Sequence, residues 1–168
     1  MPETGWRSVQ ALWGYGIAVV TLGLDQWTKW LAQTYLRPYE AQTVTPWFDW
    51  LLAYNSGAAF SFLAGAGGWQ RWFFVAIAVA VSAVLALWLS RLPRERLWLG
   101  VALGLVLGGG LGNLYDRLVF GHVVDFISLH YAGWHWPTFN IADSAITLGA
   151  AVLILDSFRG QSRQGSTA

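Results

Sequence analysis

The charges of this chain are spaced so that long stretches carry none. Trp72 to Ser90 and Leu97 to Tyr115 each run for 19 uncharged residues. A helix of about 20 mostly apolar residues crosses a bilayer, because in lipid the segment must satisfy its own backbone N–H and C=O groups. Both stretches meet that length. Ser8 to Leu24 gives 17 uncharged residues, enough only if the helix continues through Asp25 towards Trp30. Asp143 and Asp156 enclose just 12, so a spanning helix here must begin near Phe139 or Asn140 and hold Asp143 in its first turn. Asp25 and Asp143 are thereby drawn to membrane-boundary depth. Charged residues make up 11% of the chain, against about 25% in soluble domains.

The expectation is an all-α membrane protein in one domain, 1–168, with four transmembrane helices over about 8–35, 70–92, 95–115 and 139–158. Exported loops are expected over about 36–69 and 116–138, and a disordered polar tail over about 160–168. The first segment reads as a retained helix. Its apolar run exceeds the roughly 7–15 residues of a signal peptide, and "LDQWTKW" follows it instead of a small-x-small cleavage site. Val, Thr, Trp, Phe and Tyr around Pro46 predict short strands, a small β-rich platform at the interface. Gly57, with Ala58 and Ala59, allows a close turn there. Trp27, Trp30, Trp47, Trp50, Trp69, Trp72, Trp134 and Trp136 fall near expected helix ends, as interfacial belts require.

Orientation follows from Lys and Arg. Arg7, Arg91, Arg94, Arg96, Arg159 and Arg163 lie on the side of both termini, and Lys29, Arg37, Arg71 and Arg117 on the other. The larger set faces the cytoplasm, so both termini are expected inside. Lys29 and Arg117 flank aspartates, which suggests that they are held for another reason. The net charge of +1 without a basic tail argues against nucleic acid as a partner. The absence of cysteine removes disulfides, thiolate metal sites and thiol nucleophiles. His122, His130 and His135 have no zinc-site spacing with Asp125, so no metal and no cofactor is expected.

The polar residues of the apolar segments gather at the exported end. Asp25 and Lys29 stand at i, i+4 on one helix face, and Asn113, Asp116 and Arg117 at i, i+3, i+4 on another. Asp25 with Lys29 reads as a boundary ion pair, and Asp116 with Arg117 as a lock on a helix end. Asn140 is placed to cap the fourth helix. The small residues of "GLVLGGGLGN" read as a close-packing surface between helices. Asp125, inside "VVDFI", and Asp143 have no such structural account. Ionisable groups at this depth default to function. Two carboxylates facing each other cannot both ionise easily, so they share a proton and divide acid and base roles. Such chemistry needs neither metal nor cofactor.

The ordered blocks "DQWTKW", "YNSGAAFSF", "GGGLGNLYDRLVFGHVVDFI" and "FNIADSAI" resemble the lipoprotein signal peptidase (signal peptidase II) family over most of the chain. Gly110 stands where that family commonly has alanine. The resemblance implies an aspartyl endopeptidase of the bacterial inner membrane, with its active site near the exported face. It implies cleavage of diacylglyceryl-modified prolipoproteins just before the lipidated cysteine, and inhibition by globomycin. It implies a catalytic pair Asp125 and Asp143, supported by Asp25, Lys29, Asn55, Gly57, Asn113, Asp116, Arg117, Asn140 and Ala142, and a platform over Val44 to Phe62.

The corresponding mechanism has Asn55, Asn113 and Arg117 holding substrate carbonyls while one aspartate deprotonates water. The substrate helix and its acyl chains enter from the membrane lipids. Three other readings stand beside it. A proton-coupled transporter also uses intramembrane carboxylates, although no polar path crosses the other helices. A serine–lysine protease would use Lys29, the only lysine, with Ser56, Ser61 or Ser144. A non-catalytic scaffold leaves Asp125 and Asp143 without a purpose.

Overall fold

The structure is a computed structural model that describes residues 9–57, 67–93 and 96–164. The chain runs α1 (Val9–Tyr35), β1 (Ala41–Thr45), β2 (Phe48–Asn55), α2 (Trp69–Ser90), α3 (Leu97–Val119), β3 (Val123–Tyr131), β4 (Trp134–His135) and α4 (Ile141–Gln164). Among the described residues, α2, α3 and Ile141–Phe158 of α4 are long and apolar enough to cross a membrane.

α3 is the central helix, packed on α1, α2 and α4. Its glycines are what admit the neighbours. A methyl at Gly109 would lie 2.5 Å from Ala142 O of α4, and one at Gly112 would overlap Asp25 Oδ2 of α1. The small-residue run therefore works as a helix-packing surface, as its composition implied. Gly110 faces elsewhere, and a methyl there would meet only Ser82 Oγ at 3.8 Å. Leu85, Leu89, Leu92, Leu103 and Leu107 close with Ala18 into one apolar core. α2 turns Trp72, Phe73, Ile77, Val81, Val84 and Leu87 outward, a face whose natural solvent is lipid. The eight tryptophans expected at interfaces are all exposed.

The strands form one antiparallel sheet in the order β1-β2-β3-β4. The first two are the strands expected around Pro46. The other two correct an expectation, because 116–138 is not a loop. α3 continues to Val119, one turn past its expected end, and the chain then enters β3. Val123 to Phe126 are buried without interruption. A strand covered on both faces has no alternating pattern, which is why this one read as an apolar loop. Ala132 (φ 49°) and Gly133 (φ 83°) make the two-residue turn into β4, where positive φ at both positions matches the strand twist. A second core of Ala32, Leu52, Val124 and Phe126 seats the sheet against the end of α1. α4 reaches Gln164, into the segment expected to be a disordered tail.

Candidate active site

Asp125 and Asp143 are 18 positions apart, and one backbone splice brings them together. After the β3–β4 hairpin the chain returns along β3. Phe139 N donates to Ile127 O at 3.0 Å, and Phe139 O accepts from Ile127 N at 2.9 Å and Phe126 N at 3.0 Å. Asp125 lies two residues before that rung, and α4 starts two residues after it.

Asn140 caps α4 as its spacing predicted. Its Oδ1 accepts from Asp143 N at 2.9 Å, while Asp143 Oδ2 accepts from Asn140 N at 3.2 Å. This is a reciprocal capping box. The same Asn140 donates through Nδ2 to Asp125 Oδ1 at 2.7 Å. One fully buried asparagine thus bonds both aspartates. Each carboxylate receives a second amide: Asn113 Nδ2 donates to Asp143 Oδ1 at 2.8 Å, and Asn55 Nδ2 to Asp125 Oδ2 at 3.2 Å. Asp125 is only 3% exposed. Burial, and next the Asp143 carboxylate, push its pKa up to about 7, so it keeps its proton to a higher pH than an ordinary carboxyl does.

Behind the pair lies a buried ion cluster. Lys29 Nζ is 2.8 Å from Asp25 Oδ2 and 2.7 Å from Asp116 Oδ2, and it donates to Asn113 Oδ1 at 2.9 Å. The expected Asp25–Lys29 pair is present. Asp116 departs from expectation: its ion-pair partner is Lys29, across the helix interface, rather than the adjacent Arg117. Three acceptors occupy the three Lys29 donors, so this lysine is no general base, and the serine–lysine reading loses its base. Ser144 Oγ donates to Asn140 O at 3.0 Å, and Ser61 lies outside the described residues.

Asn113 lines the same cleft as both aspartates, and its side-chain amide is engaged by the surrounding network. Its Oδ1 accepts from Lys29 and Asn140, and its Nδ2 serves Asp143. Arg117 holds the turn after β2, donating through Nη2 to Gly57 O at 2.9 Å and through Nη1 to Asn113 O at 3.2 Å. Gly57 N in turn donates to Asn55 Oδ1 at 2.9 Å, so the expected close turn begins at Gly57. Ala58 and Ala59 lie outside the described residues. Ala142, fully buried, presents its N–H to Asp25 Oδ1 at 2.9 Å. Sequence reasoning missed Gln26, whose Nε2 donates to Asp116 Oδ1 at 2.8 Å and Gly112 O at 3.2 Å. Its only signal was its place beside Asp25. The histidines stay apart from this network: His130 pairs with Asp49 at 3.1 Å and stacks on His135, and His122 lies against Tyr54.

Both aspartates open into a cleft of about 870 Å³. Asn55, Asn113 and Arg117 are among its polar lining, and Leu129, Trp136, Phe139, Ile146 and Leu148 among its apolar lining. Paired carboxylates bridged by shared amides, with no thiol in the chain, are the equipment of an aspartic peptidase, mounted here on a membrane-type helical scaffold. A family profile described as signal peptidase (SPase) II matches residues 17–159. Proteins named lipoprotein signal peptidase are similar throughout. That of Pseudomonas paraeruginosa (strain PA7) is 57% identical over 164 residues, covering 96% of this chain and 95% of the relative. That of Acinetobacter baumannii (strain ATCC 17978) is 52% identical over 143 residues, 85% of this chain and 81% of the relative. A solved structure described as a bacterial membrane enzyme superposes with a TM-score of 0.81 at 30% identity, covering 97% of this chain and 95% of that one. The chain belongs to the signal peptidase II family of aspartic peptidases, and its activity is that of a lipoprotein signal peptidase.

Proposed function

We propose that this enzyme is an intramembrane endopeptidase that removes the signal peptide from diacylglyceryl-modified prolipoproteins, cutting just before the lipidated cysteine, with Asp125 and Asp143 as its catalytic pair. The observation that carries this reading is Asn140, bonded to both of the carboxylates that line the cleft. In the proposed mechanism the pair shares one proton. Asp143 in its ionised form takes a proton from water, and the water attacks the scissile carbonyl. Asp125 in its protonated form donates to the developing oxyanion and then passes the proton to the leaving amine. General acid–base action of this kind contributes about 10²–10⁴-fold.

Asn55, Asn113 and Asn140 aim the carboxylates, and Arg117 steadies the Asn55–Gly57 turn at the rim. The apolar lining that includes Ile146 and Leu148 suits the acyl chains of a substrate that never leaves the bilayer. It is also where a lipophilic inhibitor of the globomycin type would lie. All of α1 to α4 cross the inner membrane in this reading, with both termini cytoplasmic and the sheet at the exported surface. Reporter fusions at the two termini that faced the exported side would refute that topology.

The deciding assay is cleavage of a synthetic diacylglyceryl-modified prolipoprotein. Asp125→Asn and Asp143→Asn should each abolish turnover in folded protein, and substantial activity in either would reject the pair.

A further inference from the structure

The buried cluster of Lys29, Asp25 and Asp116 has a pattern that its burial alone does not require. Asp25 accepts the backbone N–H of Ala142 at 2.9 Å, and Ala142 immediately precedes Asp143. Asp116 accepts the backbone N–H of Val124 at 3.1 Å, and Val124 immediately precedes Asp125. Each carboxylate of the cluster therefore grips the main chain one residue before one member of the proposed catalytic pair. Lys29 ties the two grips together and fixes the third link. An Asn113 whose Oδ1 receives Lys29 must turn its Nδ2 outward, and that Nδ2 is the donor to Asp143. Reversing the amide would place two donors against the ammonium and an oxygen against a carboxylate.

We infer that Lys29, Asp25 and Asp116 are positioning residues for the reaction, a charged clamp behind the cleft that sets both the spacing and the charge of the aspartate pair without touching substrate. This rests on the assignment of Asp125 and Asp143 as that pair. All three side chains are at most 2% exposed, so solvent screens them little. A buried ion cluster is a poor source of stability, since its desolvation cost offsets its attraction. Its value here is orientation and field.

Asp125 feels burial and the α4 carboxylate Asp143, which favour its neutral form. Asn55 of β2, Asn140 at the start of α4 and Lys29 of α1 favour its ionised form. Arg117 of α3 is a cation coupled to it, and Asp116, bonded to the N–H of the adjoining Val124, stands behind it as a like charge. Removing the Lys29 charge must make the pair harder to ionise, and removing the Asp116 charge must make it easier. Both limbs of the activity profile belong to the pair, so the whole profile should move up in pH in one variant and down in the other.

The experiment is a kcat profile from pH 5 to 9 on the diacylglyceryl-modified peptide, with enzyme in detergent–lipid micelles. In Lys29→Met the profile should move up by about half a pH unit or more, and in Asp116→Asn down by a similar amount, with KM within about twofold. A cluster that only stabilised the fold would lower the amplitude and leave the midpoints in place, and that result overturns the inference. Lys29→Met leaves two buried like charges. If it does not fold, Asp116→Asn decides alone, because its amide oxygen still accepts the Val124 N–H. If turnover is too slow to profile, the ¹³C carboxyl titration of Asp125 reads the same displacement without catalysis, and an unmoved midpoint there is equally fatal. Full activity in Asp125→Asn would instead sink the catalytic pair itself, a distinguishable failure.

Discussion

Replacing Asp125 by Asn removes a carboxylate that the fold holds against its preference for water. Burial and the neighbouring Asp143 push the pKa of Asp125 from the ordinary carboxyl value of 3.8 up to about 7. The native state therefore keeps the proton longer than the unfolded chain does. The contribution of this group to stability is fully present below about pH 4 and is lost as pH rises through 7. Between pH 5 and pH 7 the loss is about 2 kcal/mol, at 1.36 kcal/mol per pKa unit. Asn does not titrate. Its altered hydrogen bonding to Asn55 and Asn140 adds an offset that does not change with pH. For a chain of this size 1 kcal/mol moves Tm by about 2–4 °C. The Tm of Asp125→Asn minus that of the parent should therefore grow by about 4–8 °C from pH 5 to pH 7. The 12 tryptophans make fluorescence-detected unfolding in detergent micelles the natural assay. A difference that stays constant, or shrinks as pH rises, would refute the reasoning.

Three further outcomes are expected. Gly112→Ala should lower both Tm and cleavage rate severely, because its methyl meets the Asp25 carboxylate. Gly110→Ala should leave cleavage unchanged and gain up to about 1 kcal/mol in a thermal melt, since the site is open and alanine favours helix. Asn140→Ser should hold the Tm within a few degrees of the parent by keeping a cap, yet lose at least about 10²-fold in kcat, because a hydroxyl cannot bond Asp125 and cap α4 together.

The sequence was most readable where length alone decided the matter. Too few apolar residues follow Asp143 to span a membrane, so the helix had to include it, and α4 does carry Asp143 in its first turn. The cap at Asn140 and the Asp25–Lys29 pair were equally local, at spacings of three and four. The pairing of Asp125 with Asp143 was anticipated, but the partnerships across elements that surround it stayed hidden. Nothing in the order of residues says that Lys29 of α1 meets Asp116 of α3, or that the Asn113 amide bonds Asp143. β3 was hidden for another reason. Its burial on both faces erased the alternation by which strands are recognised, and the region joining the two aspartates looked like a connection when it is a central strand of the sheet.

The rung between Ile127 and Phe139 has a mechanical consequence. Main-chain bonds run in both directions across it, with one aspartate of the proposed pair just upstream on the strand and the other just downstream in the helix. If the sheet tilts to admit a lipid-anchored chain, both acids travel as a single rigid unit. Access can then change from one turnover to the next while the alignment of the acids with each other stays constant.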